Sequence, residues 1–157
     1  MHKITPCLWF NGNAPEALEY YKRIFKDFKL ITQTKYGPDQ RQPEGTFLTA
    51  VIEVLGQRLM LLNGDMEVPF NWSVSFIIHC NDQAEVDYYW ENLTADGGAP
   101  IECGWLQDKY GLNWQIVPNM LLDITAGPDK EKANRVFQAM LKMKKLNITM
   151  LEAAANS

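Results

Sequence analysis

The sequence is poor in the residues that most metal and nucleophile chemistry uses. Its 157 residues include two histidines, His2 and His79, and three cysteines, Cys7, Cys80 and Cys103. No CxxC pair occurs and three is an odd number, so neither a zinc ribbon nor a dense disulfide framework is expected. Buried thiols in a reducing cytoplasm are the simpler reading. No stretch approaches the roughly 20 apolar residues of a membrane-spanning helix. The residues before Cys7 form no long apolar run, so a secretory signal is not expected either. Basic excess is also lacking, since 15 Lys and Arg face 19 Asp and Glu for a net charge of −4. Nucleic-acid and acidic-membrane binders usually carry the opposite balance, which excludes both as default partners. There is no GxSxG nucleophile elbow and no glycine-rich nucleotide loop between a strand and a helix.

What is present suits a soluble globular chain: 46% of residues are hydrophobic and 22% charged. The length fits one ordinary domain or two small halves. A chain of this size buries roughly 68–70% of its unfolded surface, so it needs no disulfide or structural metal. Charge is uneven. Residues 129–147 hold six basic residues against Asp129 and Glu131.

Ile4 to Phe10 predicts a strand ending in the turn residues Asn11-Gly12-Asn13. Asn13 is placed to cap a helix, with Pro15 in its first turn. Ala14, Ala17, Leu18, Tyr21, Ile24 and Phe25 recur at helical period and predict its buried stripe. Phe28–Tyr36, Thr46–Val54 and Arg58–Leu62 read as strands, with a hairpin at Gly56 and a turn at Asn63-Gly64-Asp65. Trp72–Cys80 predicts another strand. A helix follows with Val86, Tyr89, Trp90 and Leu93 on one face, stopping at Asp96-Gly97-Gly98. Ile101–Leu106 and Leu112–Val117 predict strands around an Asp108-Lys109-Tyr110-Gly111 turn. Met120–Asp123 suggests one helical turn. Pro128 leads into a final helix with Ala133, Val136, Phe137, Met140 and Leu141 on one side. Thr149–Ala154 reads as a last turn or a frayed tail. The basic run Lys142-Met143-Lys144-Lys145 is expected at a helix end, where positive charge complements the helix dipole.

The order strand, Asn or Asp turn, helix, strands occurs twice. With Tyr20-Tyr21 laid over Tyr88-Tyr89, Glu19 meets Asp87, Asn13 meets Asn81 and Leu8 meets Phe76. Gly56-Gln57-Arg58-Leu59-Met60 can be laid over Gly111-Leu112-Asn113-Trp114-Gln115. Two such halves imply paired sheets and a concavity suited to a small molecule.

Ile4-Thr5-Pro6-Cys7-Leu8-Trp9-Phe10, followed by Asn13-Ala14-Pro15-Glu16-Ala17-Leu18-Glu19-Tyr20-Tyr21, resembles the opening of the PhnB-like proteins. The long run Gly104-Trp105-Leu106-Gln107-Asp108-Lys109-Tyr110-Gly111-Leu112-Asn113-Trp114-Gln115-Ile116-Val117-Pro118 resembles them too. These proteins belong to the vicinal oxygen chelate superfamily, with glyoxalase I, extradiol dioxygenases, and fosfomycin and bleomycin resistance proteins. The resemblance covers about residues 3–143. It implies an α+β fold of paired βαβββ modules, glyoxalase/bleomycin-resistance-like, with an extra C-terminal helix. The expected layout is one domain over 1–157, with module one at about 3–65, module two at about 72–118 and a helical extension at about 119–157. A homodimer is the implied assembly.

Metal-dependent relatives place His, Gln or Glu on the strands that face the cleft. The matching windows here are Thr5–Cys7 and Ser73–Ser75, with Gln115 at the usual Glu position and Met60 as its counterpart in the first module. One amide, hydroxyls and a thioether make a poor site for a divalent ion, so no metal is expected. The cleft candidates are therefore Thr5, Cys7, Met60, Ser73, Ser75, Trp105, Tyr110 and Gln115. Gln115 either satisfies nearby backbone groups or offers a ligand both donor and acceptor. Cys7 needs a base to become a nucleophile, and His79 is the one internal histidine. Trp9, Trp72, Trp105 and Trp114 are read chiefly as core, with Trp105 and Tyr110 as a pocket rim. Glu53 is a base candidate if buried unpaired, and otherwise a solvated strand-end residue. The expected partner is a small molecule of unknown identity, and no catalytic residue is assigned. The alternatives are a metal-dependent lyase or dioxygenase-like enzyme and a non-catalytic sequestering protein.

Overall fold

The computed structural model describes residues 3–157, so His2 lies outside the described residues. The chain divides into two compact units, Met1–Pro69 and Phe70–Ser157.

In the first unit, β1 (Cys7–Asn11) leads into α1 (Ala14–Ile24), then β2 (Lys29–Lys35), β3 (Phe47–Val54) and β4 (Gln57–Gly64). The sheet order is β1-β4-β3-β2, with β1 parallel to β4 and the other pairs antiparallel. The predicted stripe of α1 is buried: Ala14, Ala17, Leu18, Tyr21 and Ile24 pack inward, with Phe25 just beyond. Strand alternation supplies the opposing layer, Leu8, Phe10, Ala50, Ile52, Leu59 and Leu61. Leu55 and Gly56 both have positive φ, the conformation that a two-residue hairpin turn demands.

Two local expectations change here. Asn13 makes no side-chain cap; instead Asn63 Oδ1 of β4 accepts from Ala14 N at 3.1 Å. The Asn63-Gly64-Asp65 turn is displaced for the same reason. Asn63 also donates to the Phe47 carbonyl at 3.2 Å, and β4 continues through Gly64.

The second unit repeats the topology. It contains β5 (Phe76–Cys80), α2 (Gln83–Thr94), a 3-10 turn (Ala95–Gly97), β6 (Ala99–Pro100), β7 (Trp105–Gln107) and β8 (Asn113–Pro118). The order is β5-β8-β7-β6, with β5 parallel to β8. Asp82 caps α2 by accepting from Glu85 N at 2.9 Å, and Glu85 accepts from Asn81 N at 2.7 Å. Val86, Trp90 and Leu93 form the buried stripe of α2.

The predicted strand from Trp72 begins only at Phe76, because Asn71 Oδ1 accepts from Ser73 N at 2.9 Å and turns the chain. The Ile101–Leu106 strand is broken as well. Cys103 and Gly104 have positive φ, and their N–H groups donate to the carbonyls of Met143 and Lys144, both at 2.8 Å.

The C-terminal extension is three helices: α3 (Asn119–Ala126), α4 (Lys130–Met140) and α5 (Ile148–Ala155). The suggested single turn at Met120–Asp123 is thus a full short helix. The suggested frayed tail is α5, capped by Asn147 and closed by Arg135 on the carbonyls of Ala154 and Ala155. Val117, Leu121, Val136, Met143, Leu146, Leu151 and Ala155 form its core. The basic run follows α4 rather than ending it. Lys145 pairs with Asp87 of α2 at 2.6 Å, and Gln83 bonds both the Leu146 carbonyl and Ile148 N. Lys145 holds the Asp87 carboxyl below its ordinary range, with Gln83 adding to the effect. No helix among the described residues is long and apolar enough to cross a membrane.

Candidate functional site

The sequence candidates fall into two groups, one in each unit. In the first unit, Cys7 pairs in register with Met60, and Met60 N donates to the Pro6 carbonyl at 2.9 Å. Thr5 lies two residues before the start of β1 and is half-buried. Beside Cys7 and Met60, the Trp9 indole lies over Gly64, leaving no room there for a Cβ. Its Nε1 donates to the Met66 carbonyl at 2.8 Å. Leu62 completes a largely apolar surface. Partial desolvation raises the Cys7 thiol above its usual value, which favours the protonated, non-nucleophilic form.

At one end of this sheet, Glu53 is paired, so it is no unpartnered base. Its carboxylate accepts from Lys29 Nζ at 2.9 Å and Arg58 Nε at 3.3 Å. Lys29 first, then Arg58, holds the Glu53 carboxyl below its ordinary range, and Glu53 raises Lys29 in return.

The second unit concentrates polar and aromatic groups. Gln115 of β8 pairs with Ile77 of β5, and its Nε2 donates to Ser75 Oγ at 2.9 Å. Across the antiparallel pair, Trp105 of β7 stands opposite Gln115. Opposed residues of such a pair share a face, with Cβ atoms about 4.5–5.5 Å apart. Trp105 stacks on Trp72, with centroids 6.2 Å apart and planes inclined by 18°. Of the four tryptophans read chiefly as core, Trp114 is buried and Trp72 is 59% exposed. Ser73 is exposed in the turn beside Trp72. His79 is exposed farther along β5. Cys80 faces the opposite, buried side, and burial pushes its thiol up to about 12.

Two buried polar residues that sequence reasoning left aside support this surface. Asn113 is fully buried; its Nδ2 donates to the Asn71 carbonyl at 2.8 Å and its Oδ1 accepts from Gln107 Nε2 at 3.2 Å. Asn71 adjoins Trp72, so Asn113 ties the tryptophan loop to β8. Asp108 is buried and accepts from Tyr110 N, Leu112 N and Trp114 Nε1 at 2.9, 3.1 and 3.0 Å. A buried carboxylate is tolerable only with such donors. The turn Asp108-Lys109-Tyr110-Gly111 signals the backbone bonds, but only the fold brings Trp114 to them. Tyr110 belongs to this turn, with Lys109 Nζ 5.2 Å from its ring centroid.

Strand register also revises the repeat. With Leu8 over Phe76, Trp9 lies over Ile77; Trp9 pairs with Leu62, and Ile77 with Gln115. Leu62, rather than Met60, therefore stands where Gln115 does, although both residues share a face by strand alternation.

These residues do not fit a divalent ion. Among the described residues, no group of three or more His, Cys, Asp or Glu is placed to hold a metal. The strand positions offer an amide already bonded to a serine, a protonated thiol and apolar side chains. Neutral donors of this kind supply no negative charge and no imidazole for a divalent ion. What the second unit offers instead is hydrogen bonding beside a flat aromatic surface.

Comparison with known proteins agrees with the duplicated topology. A family model described as 3-demethylubiquinone-9 3-methyltransferase matches residues 2–117. The PhnB protein of Bacillus cereus is similar in structure, at 28% identity and a TM-score of 0.65, covering 74% of this chain and 99% of its own. The protein PA1353 of Pseudomonas aeruginosa gives 21% identity and 0.62, covering 75% and 98%. The fosfomycin resistance protein FosX of Listeria monocytogenes gives 16% and 0.55, covering 78% and 94%. Among curated proteins, none matches.

Proposed function

The chain belongs to the PhnB-like family, whose model is described as 3-demethylubiquinone-9 3-methyltransferase, within the vicinal oxygen chelate superfamily, and from that premise we propose that it binds a small organic molecule. The observation that carries this reading is the Gln115–Ser75 pair on the face of the second sheet that also bears Trp105. Gln115 spends one amide hydrogen on Ser75. Its second hydrogen and its Oε1 have no partner among the described residues, nor does the Ser75 hydroxyl hydrogen. A half-buried amide left with that capacity is suited to fix the orientation of a polar ligand.

Methyl transfer itself draws no support from these residues. The β1–α1 junction is Asn11-Gly12-Asn13 and the β5–α2 junction is Asn81-Asp82, and neither is a glycine-rich nucleotide loop. The reading therefore stops at binding and leaves the reaction unassigned.

The assembly we propose is a homodimer in a reducing cytoplasm. Every residue of the edge strand β2 is exposed, including Leu30 and Ile31, and an open edge of this kind is ordinarily covered. All three cysteines are free thiols, as a reducing compartment keeps them. Sedimentation velocity tests the dimer; a single monomeric species at micromolar concentration rejects it.

The test of binding is a thermal-shift screen against a library of small organic acids, amides and phenols. A ligand at 100 times its Kd adds about 2.7 kcal/mol of stability. Hits should raise the Tm of the wild-type chain and lose most of that shift in Gln115→Leu. Hits that stabilise both proteins equally reject the assignment. Elemental analysis of protein purified without chelator should find metal well below one equivalent; a stoichiometric divalent ion would reopen the metal-dependent reading.

A further inference from the structure

The second unit holds a large apolar side chain outward by polar means. Trp72 remains 59% exposed, yet the chain on its N-terminal side is fastened twice. Asn71 Oδ1 receives Ser73 N, and the Asn71 carbonyl receives the buried Asn113 amide. Asn113 is itself held through Gln107 Nε2. A tryptophan needed only for packing would gain more by turning inward, since indole burial is strongly favourable. Here buried hydrogen bonds fix the loop while the ring stays accessible.

The ring is also aligned. Its plane lies within 18° of that of Trp105 at a centroid distance of 6.2 Å, an offset-parallel arrangement that presents flat π surface. Trp105 stands opposite Gln115 in register, so the amide and the Ser75 hydroxyl lie at the edge of that surface.

We propose that the ligand is a planar aromatic or heteroaromatic compound carrying a hydrogen-bonding group, stacked on Trp72 and Trp105 with its polar group at Gln115 and Ser75. This rests on the preceding reading that the second sheet binds a small molecule. Asn113 acts as a positioning residue, because it touches Asn71 and not the ligand. A saturated ligand of equal size gains burial without the ring–ring contribution, which sets the discrimination at about three- to tenfold.

The experiment uses the full chain, isotopically labelled, with 2-naphthoate and its saturated counterpart decahydro-2-naphthoate as probes. Indole N–H and side-chain amide resonances are followed during titration. The expected result is that 2-naphthoate moves the Trp72, Trp105 and Gln115 signals together and binds about three- to tenfold more tightly than the saturated acid. Trp72→Leu, a change at an exposed site, should abolish that preference while leaving the protein folded. Asn113→Ser should weaken 2-naphthoate binding and broaden the Trp72 indole signal, with little effect on the saturated acid. Equal affinity for the two acids, with both dependent on Gln115, overturns the aromatic class and leaves the binding reading intact. Indole shifts that survive Gln115→Leu with unchanged affinity overturn the assignment of the polar group to Gln115 and Ser75, on which both readings rest. Absence of any shift at the two indoles overturns the inference, and the library screen then decides the binding reading separately.

Discussion

The two halves share one strand order but place their buried polar groups differently. In the first half, Asn63 reaches from β4 to the start of α1 and to the Phe47 carbonyl. That joins helix to sheet and stiffens the scaffold. In the second half, Asp108 and Asn113 serve loops instead. Their hydrogen bonds fix the Tyr110 turn and the segment beside Trp72. The exposed faces differ accordingly. Cys7, Met60 and Leu62 make an apolar surface around Trp9 in one unit, while Ser75, Gln115 and Trp105 make a polar and aromatic one in the other. A duplicated backbone therefore does not duplicate chemistry, because each side chain answers to its own neighbours.

The largest test of this contrast is Asp108→Ala. It strands three donors, the Leu112 N–H and the Trp114 indole N–H in buried places and the Tyr110 N–H in a half-buried one. Each unsatisfied buried group costs about 1–3 kcal/mol, so the expected loss is about 3–5 kcal/mol in chemical denaturation. A loss below about 1 kcal/mol would show that the loop relaxes to water and that Asp108 holds nothing. Leu146→Ala should follow, at about 2–4 kcal/mol, because this fully buried side chain of the extension packs against Gly104. If the second unit unfolds with unchanged stability, the extension is an appendage rather than part of its core.

Within the first unit, Gly64→Val should cost about 1–3 kcal/mol by forcing the Trp9 ring off its seat. Tryptophan emission should shift as the indole loses its bond to Met66. Unchanged emission and stability would mean that this apolar surface is plastic, which would sharpen its contrast with the second unit.

The smallest expected effect lies at Glu53. Its carboxyl is held low in the folded state by Lys29 and then Arg58. A depressed folded-state value gives stability that is present above the unfolded value, about 4.3, and is lost as pH falls through the folded one. The stability difference between wild type and Glu53→Gln should therefore be present at neutral pH and vanish in acid. Added salt should shrink it further, as for other exposed pairs. A difference that grows on acidification would contradict the ion-pair account.

Much of the fold was legible because it rests on local periodicity. The stripe from Ala14 to Phe25 and the stripe of Val86, Trp90 and Leu93 follow from a 3.6-residue repeat that the chain itself carries. The limits of the strands were less legible, since distant partners decide them. Asn63 and Gly64 look like a turn until α1 and Trp9 occupy them. Gln115 was legible as a candidate because it lies in a distinctive run of residues. Its bond to Ser75 joins separate strands, and no local pattern contains that distance. Which of the four strand-end tryptophans would be core was not legible, because residue type alone favours burial, whereas the Asn71 turn and Asn113 hold Trp72 outward.

By itself, the sequence determined the duplicated order of elements, the family and the apolar stripes that make each sheet and helix adhere. These depend on nearest neighbours and on hydrophobic period, which survive in one dimension. Only the tertiary structure decided which half carries the polar surface, how Leu62 rather than Met60 came to match Gln115, and that Lys145 meets Asp87 instead of capping a helix. Each of those depends on strand register or on a side chain reaching across the chain, where a shift of one residue reverses the face and a contact needs both ends in place.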